Sequence, residues 1–190
     1  MKVLQVSAAV GIGLLTAVRL ASGAWLDAPL EGWNRPGAAL PQAPAAQGTP
    51  HPRCQEQTRA AAGEEDRAVM AAGWSLVGPL QVFGDTLVVT ATSGFDGMCR
   101  RWGYQVFVFS SGRFAGTLSP QPMNSRTDGA AAQVHLYRAA NISAEFSRYT
   151  DKDPMCCPSR TSVVAYRIEH TADVPAVLPV SVSTIPAVAP

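Results

Sequence analysis

The chain has 190 residues, of which 47% are hydrophobic and 15% are charged, and its formal net charge at pH 7 is +1. Because this charged fraction is below the roughly 25% of an average soluble domain, a disordered charged protein and a charge-rich coiled coil are both disfavoured. The near-zero net charge provides no basic surface for phosphates, so nucleic acid is not an expected partner.

Residues 1–24 have the pattern of an export signal. Met1 and Lys2 precede an apolar run over residues 3–18, and residues 22–24 are small, as a cleavage site requires. At about 16 residues the run is shorter than the roughly 20 that span a bilayer. The sequence therefore predicts a signal peptide over residues 1–24, and an uncleaved membrane anchor is the alternative.

Residues 25–53 are rich in proline, alanine and glycine and lack apolar periodicity. This composition is typical of a linker or of an arm laid on a domain. Two tryptophans, Trp25 and Trp33, favour an arm that packs on the domain, since exposed linkers seldom carry them. A position at a membrane interface is the other interpretation.

Residues 54–180 are predicted to form one domain, followed by a tail over residues 181–190. The alanine-rich residues 55–72 indicate a helix that ends near Gly73. The segments beyond it are rich in β-branched and aromatic residues, and they predict strands at residues 86–92, 104–109, 132–137, 142–149 and 161–168. The expected fold is α+β, with one N-terminal helix on a mostly antiparallel sheet.

An internal repeat is predicted to organise that sheet. A shift that places Met98-Cys99 on Met155-Cys156 also places the strand at residues 106–109 on residues 163–166, and Thr86 on Ser143. Each unit is then a strand, a loop with an Asp-x-Met-Cys segment and a second strand. We expect two similar hairpin units, although hairpins without common ancestry also share such patterns.

The four cysteines are expected to staple the domain. In an exported protein four cysteines predict two disulfides. Because a bond between neighbours distorts the peptide between them, Cys156 and Cys157 are expected to pair with Cys54 and Cys99, in a connectivity that spacing does not decide. The alternative is a redox or soft-metal site at Cys156 and Cys157, which lacks the usual CxxC spacing.

The loops also carry a set of charged residues that is expected to form structural ion pairs and caps, or a surface that recognises a ligand. The histidines are scattered and no serine-nucleophile motif occurs, so no catalytic residue, metal site or cofactor is predicted. Loops on a rigid scaffold often hold binding residues. The candidate residues are Asp96, Arg100, Arg126, Asp128, Arg148, Asp151 and Asp153.

Four segments resemble the LppP/LprE family of bacterial secreted proteins and lipoproteins. They are residues 94–100, 114–120, 123–129 and 148–159, and the resemblance extends over residues 25–179. It implies an exported envelope protein without an established enzymatic activity, and it supplies no catalytic residues. This chain departs from the lipoprotein pattern because its first cysteine is Cys54, far beyond the apolar run.

These observations predict an extracytoplasmic, non-catalytic protein of the cell envelope or a secreted protein that binds a partner. The partner is expected to be an envelope component or a small ligand, and membrane contact is expected only through an uncleaved N-terminal segment. One alternative is a thiol-based redox or metal-binding protein that uses Cys156 and Cys157. The other is a membrane-anchored accessory subunit of a larger assembly.

Overall fold

The computed structural model describes residues 24–30, 32–46 and 52–187. The predicted signal peptide, and with it the choice between cleavage and anchoring, lies outside these residues except for Ala24. Within the described ranges no helix has the length and apolar character needed to cross a membrane.

The described chain is mostly antiparallel β-structure with one α-helix. Two short 3-10 helices, Ala24–Leu26 and Pro52–Gln57, precede it. The regular elements are α1 (Glu64–Ala71), β1 (Ser75–Leu76), β2 (Gln81–Phe83), β3 (Thr86–Phe95), β4 (Arg101–Ser110), β5 (Arg113–Thr117), β6 (Ala130–Arg138), β7 (Asn141–Arg148), β8 (Arg160–Thr171) and β9 (Val174–Pro186).

The strands form two sheets rather than the single sheet that the sequence predicted. The first sheet has the order β1-β3-β4-β5, with β2 also paired to β3, and the second has the order β6-β7-β8-β9. The two proposed hairpin units, β3–β4 and β7–β8, thus lie in different sheets. Along β7 and β8 buried residues alternate with more exposed ones, whereas residues 103–110 of β4 are all buried, because β4 is covered on both faces. The apolar faces that the two hairpins turn towards each other are buried when the sheets stack. The duplication itself stays a prediction.

The main core lies between the two sheets. Val106 and Val108 of β4 face Phe146 of β7 and Tyr166 of β8, and all four side chains are buried. The Tyr166 hydroxyl donates a hydrogen bond to the carbonyl oxygen of Leu118, which follows β5. Aromatic and β-branched residues at alternate positions therefore hold the sheets face to face.

A second core lies on the other face of the first sheet, under α1. Val69 of the helix packs there with Trp74, Val89 and Phe107, and the rings of Trp74 and Phe107 meet edge to face at 5.1 Å. The layer order is helix, first sheet, second sheet. The second sheet is covered by the first sheet on its inner face, and neither α1 nor the first sheet covers its outward face.

The predicted helix over residues 55–72 is wrong in length, because α1 begins only at Glu64. Thr58 forms a β-bridge with Val77, which holds the preceding segment in an extended conformation. The Asp66 carboxylate accepts hydrogen bonds from Arg59 and from the Ala62 amide, which fixes the start of the helix. The predicted stop is confirmed, since Gly73 has φ +88° directly after the helix.

The arm packs on the domain, as the two tryptophans indicated. Trp25 is 8% exposed and lies edge to face with Phe146. The Asn34 side chain accepts a hydrogen bond from the Thr117 amide at 2.9 Å and donates to the Val177 carbonyl at 2.8 Å. It lies directly over Gly116, where a Cβ would meet it at 2.2 Å, so β5 and β9 are joined through an arm residue.

The C-terminal segment is also part of the sheet. β9 stays paired with β8 as far as Pro186, which lies opposite Arg160. The Ala187 amide then donates to the Ser159 carbonyl. The expectation of a tail from residue 181 is therefore wrong for residues 181–186, whose alternating Val/Ser pattern is that of a strand.

Candidate functional site

The first cysteine loop, residues 96–100, joins β3 to β4 and is tied to the start of the domain. Cys99 forms a disulfide with Cys54, which is 1% exposed. The side-chain amide of Gln57 donates a hydrogen bond to the Cys99 carbonyl at 3.0 Å. The disulfide thus fixes the segment before α1 to the end of the first sheet.

Asp96 organises the interior of this loop. Its carboxylate accepts hydrogen bonds from the backbone amides of Met98 and Arg100 and from the Arg100 guanidinium. Burial raises the pKa of Asp96, but these hydrogen bonds, led by those of Arg100, outweigh it and leave the pKa lowered. Asp96 and Arg100, two of the candidate residues, therefore form an ion pair that closes the loop.

The second cysteine loop, residues 149–159, contradicts the predicted disulfide pairing. Cys156 and Cys157 are bonded to each other, so neither reaches Cys54 or Cys99. Cys54 is buried beside the first loop, and its sulfur atom is bonded to that of Cys99. The bond between these neighbouring cysteines lies in a turn, which is closed by a hydrogen bond from the Cys157 amide to the Pro154 carbonyl. The expectation that neighbouring cysteines would not pair is therefore wrong.

Asp153 holds the second loop together. Its carboxylate accepts hydrogen bonds from the Thr150 amide at 2.8 Å and from the hydroxyl and amide of Ser159. The Thr150 and Ser159 hydrogen bonds favour the charged form and lower the pKa of Asp153 to about 2. The Tyr149 hydroxyl also donates to the Met155 carbonyl. These hydrogen bonds give the loop a defined conformation although most of its residues are exposed.

Arg148, at the end of β7, is a buried cation with two carboxylate partners. Its guanidinium donates to Asp128 at 3.0 Å, to Asp27 at 2.6 Å and to the Ser162 hydroxyl at 3.2 Å. Burial lowers the pKa of Arg148, but the hydrogen bonds that its guanidinium donates to Asp27 and Asp128 outweigh burial and leave the pKa raised. Because Asp27 belongs to the arm, this cluster joins the arm to the second sheet.

The predicted charged residues thus fall into two groups, one around Asp96 and one around Arg148. Asp153 belongs to neither and caps its own loop. Arg126, with φ +61°, and Asp151 are exposed on the loops. Asp27, which completes the Arg148 cluster, was not among the candidates.

A groove that sequence reasoning missed lies on the outward face of the second sheet. It has a volume of about 730 Å³ and we call it the outer groove. One end is formed by Cys156, Cys157 and Pro158 of the second cysteine loop. The other lining residues come from all four strands and the end of the chain, and they are Ala132, Gln133, Glu145, Ser147, Thr161, Val163, Ile185, Pro186 and Ala187.

The strand pattern explains why these side chains share the outer groove. Along β7 the buried residues alternate with Glu145 and Ser147, which therefore point away from the core. Val163 lies opposite Glu145 in the register of β7 and β8 and shares its face. This alternation is visible in the sequence, whereas the folding of the second cysteine loop over the sheet end is not.

At the outer groove, the lining residue Glu145 forms a half-buried pair with His135. The His135 Nε2 atom is 3.6 Å from a Glu145 carboxylate oxygen, and the His135 ring stacks on Tyr137 with centroids 5.6 Å apart. The described residues contain no group of three or more His, Cys, Asp or Glu side chains placed to hold a metal ion.

Comparisons with known proteins connect this architecture to a family. Neither the curated proteins nor the solved structures contain a match to the chain. The family model described as LppP/LprE lipoprotein matches residues 83–171, a segment that runs from the end of β2 through β8 and includes both cysteine loops. The family suggests a protein associated with the cell envelope. Over residues 83–171 the chain is therefore similar to the LppP/LprE lipoprotein family, which is the resemblance that the sequence indicated.

Proposed function

We propose that this protein is an exported, non-catalytic binding module of the cell envelope whose ligand occupies the outer groove. The family suggests the envelope setting. The observation that carries the proposal is the outer groove itself, which combines an apolar platform with polar groups on a rigid sheet. Its volume of about 730 Å³ lies within the roughly 300–1,000 Å³ of small-molecule sites.

The lining chemistry defines the class of ligand. Pro158, Val163, Ile185 and the Cys156–Cys157 bond provide an apolar, polarizable surface. Gln133, Glu145, Ser147 and Thr161 provide hydrogen-bond donors and acceptors. A ligand with one apolar face and hydroxyl groups at its edges, such as a saccharide, satisfies both sets.

The charge of the lining narrows this class further. Glu145 is the charged residue of the lining set, which contains no lysine or arginine. A phosphate or carboxylate ligand would meet that carboxylate without a compensating cation. We therefore propose a neutral or amino-bearing saccharide as the ligand.

The contact between His135 and Glu145 also supports the binding proposal. Its 3.6 Å distance is longer than a hydrogen bond, so the Glu145 carboxylate stays available to a hydroxyl group of the ligand. Both side chains are more than a third exposed, so water competes for their hydrogen bonds.

A binding measurement on the purified protein tests this proposal. The probes are neutral and amino oligosaccharides, measured by calorimetric titration, with inorganic phosphate as the anionic comparison. The informative variant is Val163→Arg, because a long guanidinium side chain fills the floor of the groove. We expect it to weaken saccharide binding by about tenfold or more, which corresponds to about 1.4 kcal/mol.

The matched control is Ala165→Arg, which places the same side chain two residues along β8 on the same face, outside the groove. It is expected to keep the affinity of the unchanged protein. If neither class of saccharide binds, or if Val163→Arg binds as well as Ala165→Arg, the outer groove is not the site.

A second candidate function is thiol-based redox chemistry at Cys156 and Cys157. It is favoured by the exposure of both residues and by their bond to each other. Two electrons and two protons from a dithiol reductant would open this bond to two neighbouring thiols. Exposed disulfides are commonly the labile ones, whereas buried ones resist reduction.

Thiol counting in a graded dithiothreitol series tests this second function. We expect Cys156 and Cys157 to become alkylated before Cys54 and Cys99. Zinc or copper(I) titration of the partly reduced protein then tests metal binding, with the double variant Cys156→Ser/Cys157→Ser as control. Binding that is unchanged in this variant excludes the pair as a metal site.

A further inference from the structure

The outer edge of β9 offers a second surface, which we call the bare edge and define as residues 180–185. β9 is the last strand of its sheet, and among the described strands β8 is the one that pairs with this part of it. Val180 is 47% exposed, Val182 36% and Ile185 49%. A strand edge with exposed branched apolar residues is a template for pairing with another strand.

The opposite edge of the same sheet is protected. The side chain of Gln81, from β2, donates a hydrogen bond to the Val134 carbonyl of β6 at 2.9 Å and accepts one from the Leu136 amide at 3.1 Å. β6 also carries two register shifts in its pairing with β7. Side-chain capping and bulges are recognised ways to block edge pairing. β9 has a register shift of its own at Val180, so the feature that distinguishes the two edges is the Gln81 side chain that caps β6.

The bare edge lacks the residues that usually prevent association. Its sequence, Val-Ser-Val-Ser-Thr-Ile, contains no charge and no proline, and it is bounded by Pro179 and Pro186. Charged residues and proline within an edge strand are the common protection against pairing. Here the prolines bound a pairing segment instead of interrupting it.

We propose that the bare edge is a self-association surface on which residues 180–184 of two copies pair antiparallel. The twofold axis then passes near Val182, so that Val182 faces its counterpart and Ser181 of one copy faces Ser183 of the other. Branched apolar pairs and hydroxyl pairs are favourable across antiparallel strands, and like charges would oppose pairing. The neutral, alternating segment is thus complementary to itself, as an isologous interface requires.

This arrangement joins the two second sheets into one continuous eight-stranded sheet, because each copy contributes the four strands β6 to β9. A twofold axis perpendicular to the sheet keeps both outward faces on the same side. The inference does not depend on the proposed ligand, since the bare edge pairs through its backbone.

The test is a dilution series of protein purified from cells that express the full chain, followed by light scattering and by hydrogen exchange. We expect the mass to rise towards that of a dimer with concentration. Amides of residues 180–184 should exchange about tenfold more slowly in the dimer. The amides of β6 serve as the internal reference and should not change.

The informative variant is Ser181→Lys/Ser183→Lys, which sets like charges opposite each other across the axis. It is expected to raise the dimer dissociation constant by about tenfold or more. The control Ser143→Lys/Thr171→Lys adds the same charge to the second sheet away from the bare edge. Circular dichroism of both variants checks that the fold is retained.

A protein that stays monomeric over the whole series overturns the inference. So does a dimer whose slowed amides lie outside residues 180–184, or one that both lysine pairs weaken equally. Slowed exchange at the bare edge upon addition of an unrelated extended peptide, without self-association, identifies a heterologous strand as the occupant and also overturns it.

Discussion

The two cysteine loops share an Asp-x-Met-Cys segment but have opposite structural roles. In the first, Cys99 bonds to the buried Cys54 across 45 positions of chain and ties two parts of the fold together. In the second, Cys156 bonds to its neighbour Cys157 on the surface and ties nothing distant. The second loop is anchored by Asp153 within it and by Arg148 at its base instead.

The difference teaches that the same Asp-x-Met-Cys segment can stabilise the fold in one sheet and form part of an exposed surface in the other. The disulfide of the first loop is placed where it restricts the unfolded chain. The disulfide of the second loop lines the outer groove, where its chemistry is accessible. The following predictions challenge this division, beginning with the largest effect.

Removal of the first disulfide with Cys54→Ser/Cys99→Ser is expected to be the most destabilising change. The bond closes a sequence separation of 45, and a loop of that length is worth about 4 kcal/mol in the chain-entropy description. Denaturant unfolding followed by tryptophan fluorescence measures the loss. A change below about 1 kcal/mol would show that Cys54 does not staple the fold.

Replacement of Arg148 by methionine is expected to cost about 3 kcal/mol, because Asp128 and Asp27 lose their buried cation. The arm should loosen as well, since Asp27 is the arm residue that forms an ion pair with β7. Denaturant unfolding gives the energy, and hydrogen exchange at residues 25–30 reports the arm.

The control for this experiment is Asp27→Asn, which removes the exposed carboxylate and leaves the pair of Arg148 with Asp128. It should cost about 1 kcal/mol or less, as exposed ion pairs do. Equal losses in both variants would mean that the arm contact, and not the base of the second loop, is what Arg148 stabilises.

The sequence predicted the strands β3, β4, β6, β7 and β8, because branched residues within strands and turn residues between them are local signals. It missed β5, which contains Gly116, because the need for glycine there comes from Asn34, a residue distant in sequence. It also missed β9, because prolines within a segment argue against a strand. It also predicted one sheet, since alternation shows that a face is buried but not against which sheet. The outer groove depends on how the second loop folds over β8, which spacing does not encode.

The vicinal bond should contribute little to stability. In Cys156→Ser/Cys157→Ser the chain loses a link between neighbours, which closes almost no loop, so the expected cost is about 1 kcal/mol or less. Saccharide affinity should fall in the same variant because the groove loses its platform. Mass spectrometry of unreduced peptides checks the connectivity, and a peptide linking Cys156 or Cys157 to Cys54 would contradict the pairing.

The smallest expected effect is a local pH dependence of the second loop. The folded pKa of Asp153 is about 2, below its ordinary 3.8, so its contribution is fully present above pH 3.8 and is lost as pH falls through about 2. The Thr150 and Ser159 amides should exchange faster over that range, and NMR titration locates the midpoint. Asp153→Asn should remove this dependence while the first loop keeps its own through Asp96, whose pKa is also lowered. If Asp153→Asn abolishes the pH dependence of both loops, the two loops are coupled. The distinction between a first loop that stabilises the fold and a second loop that is a separate surface feature would then be wrong.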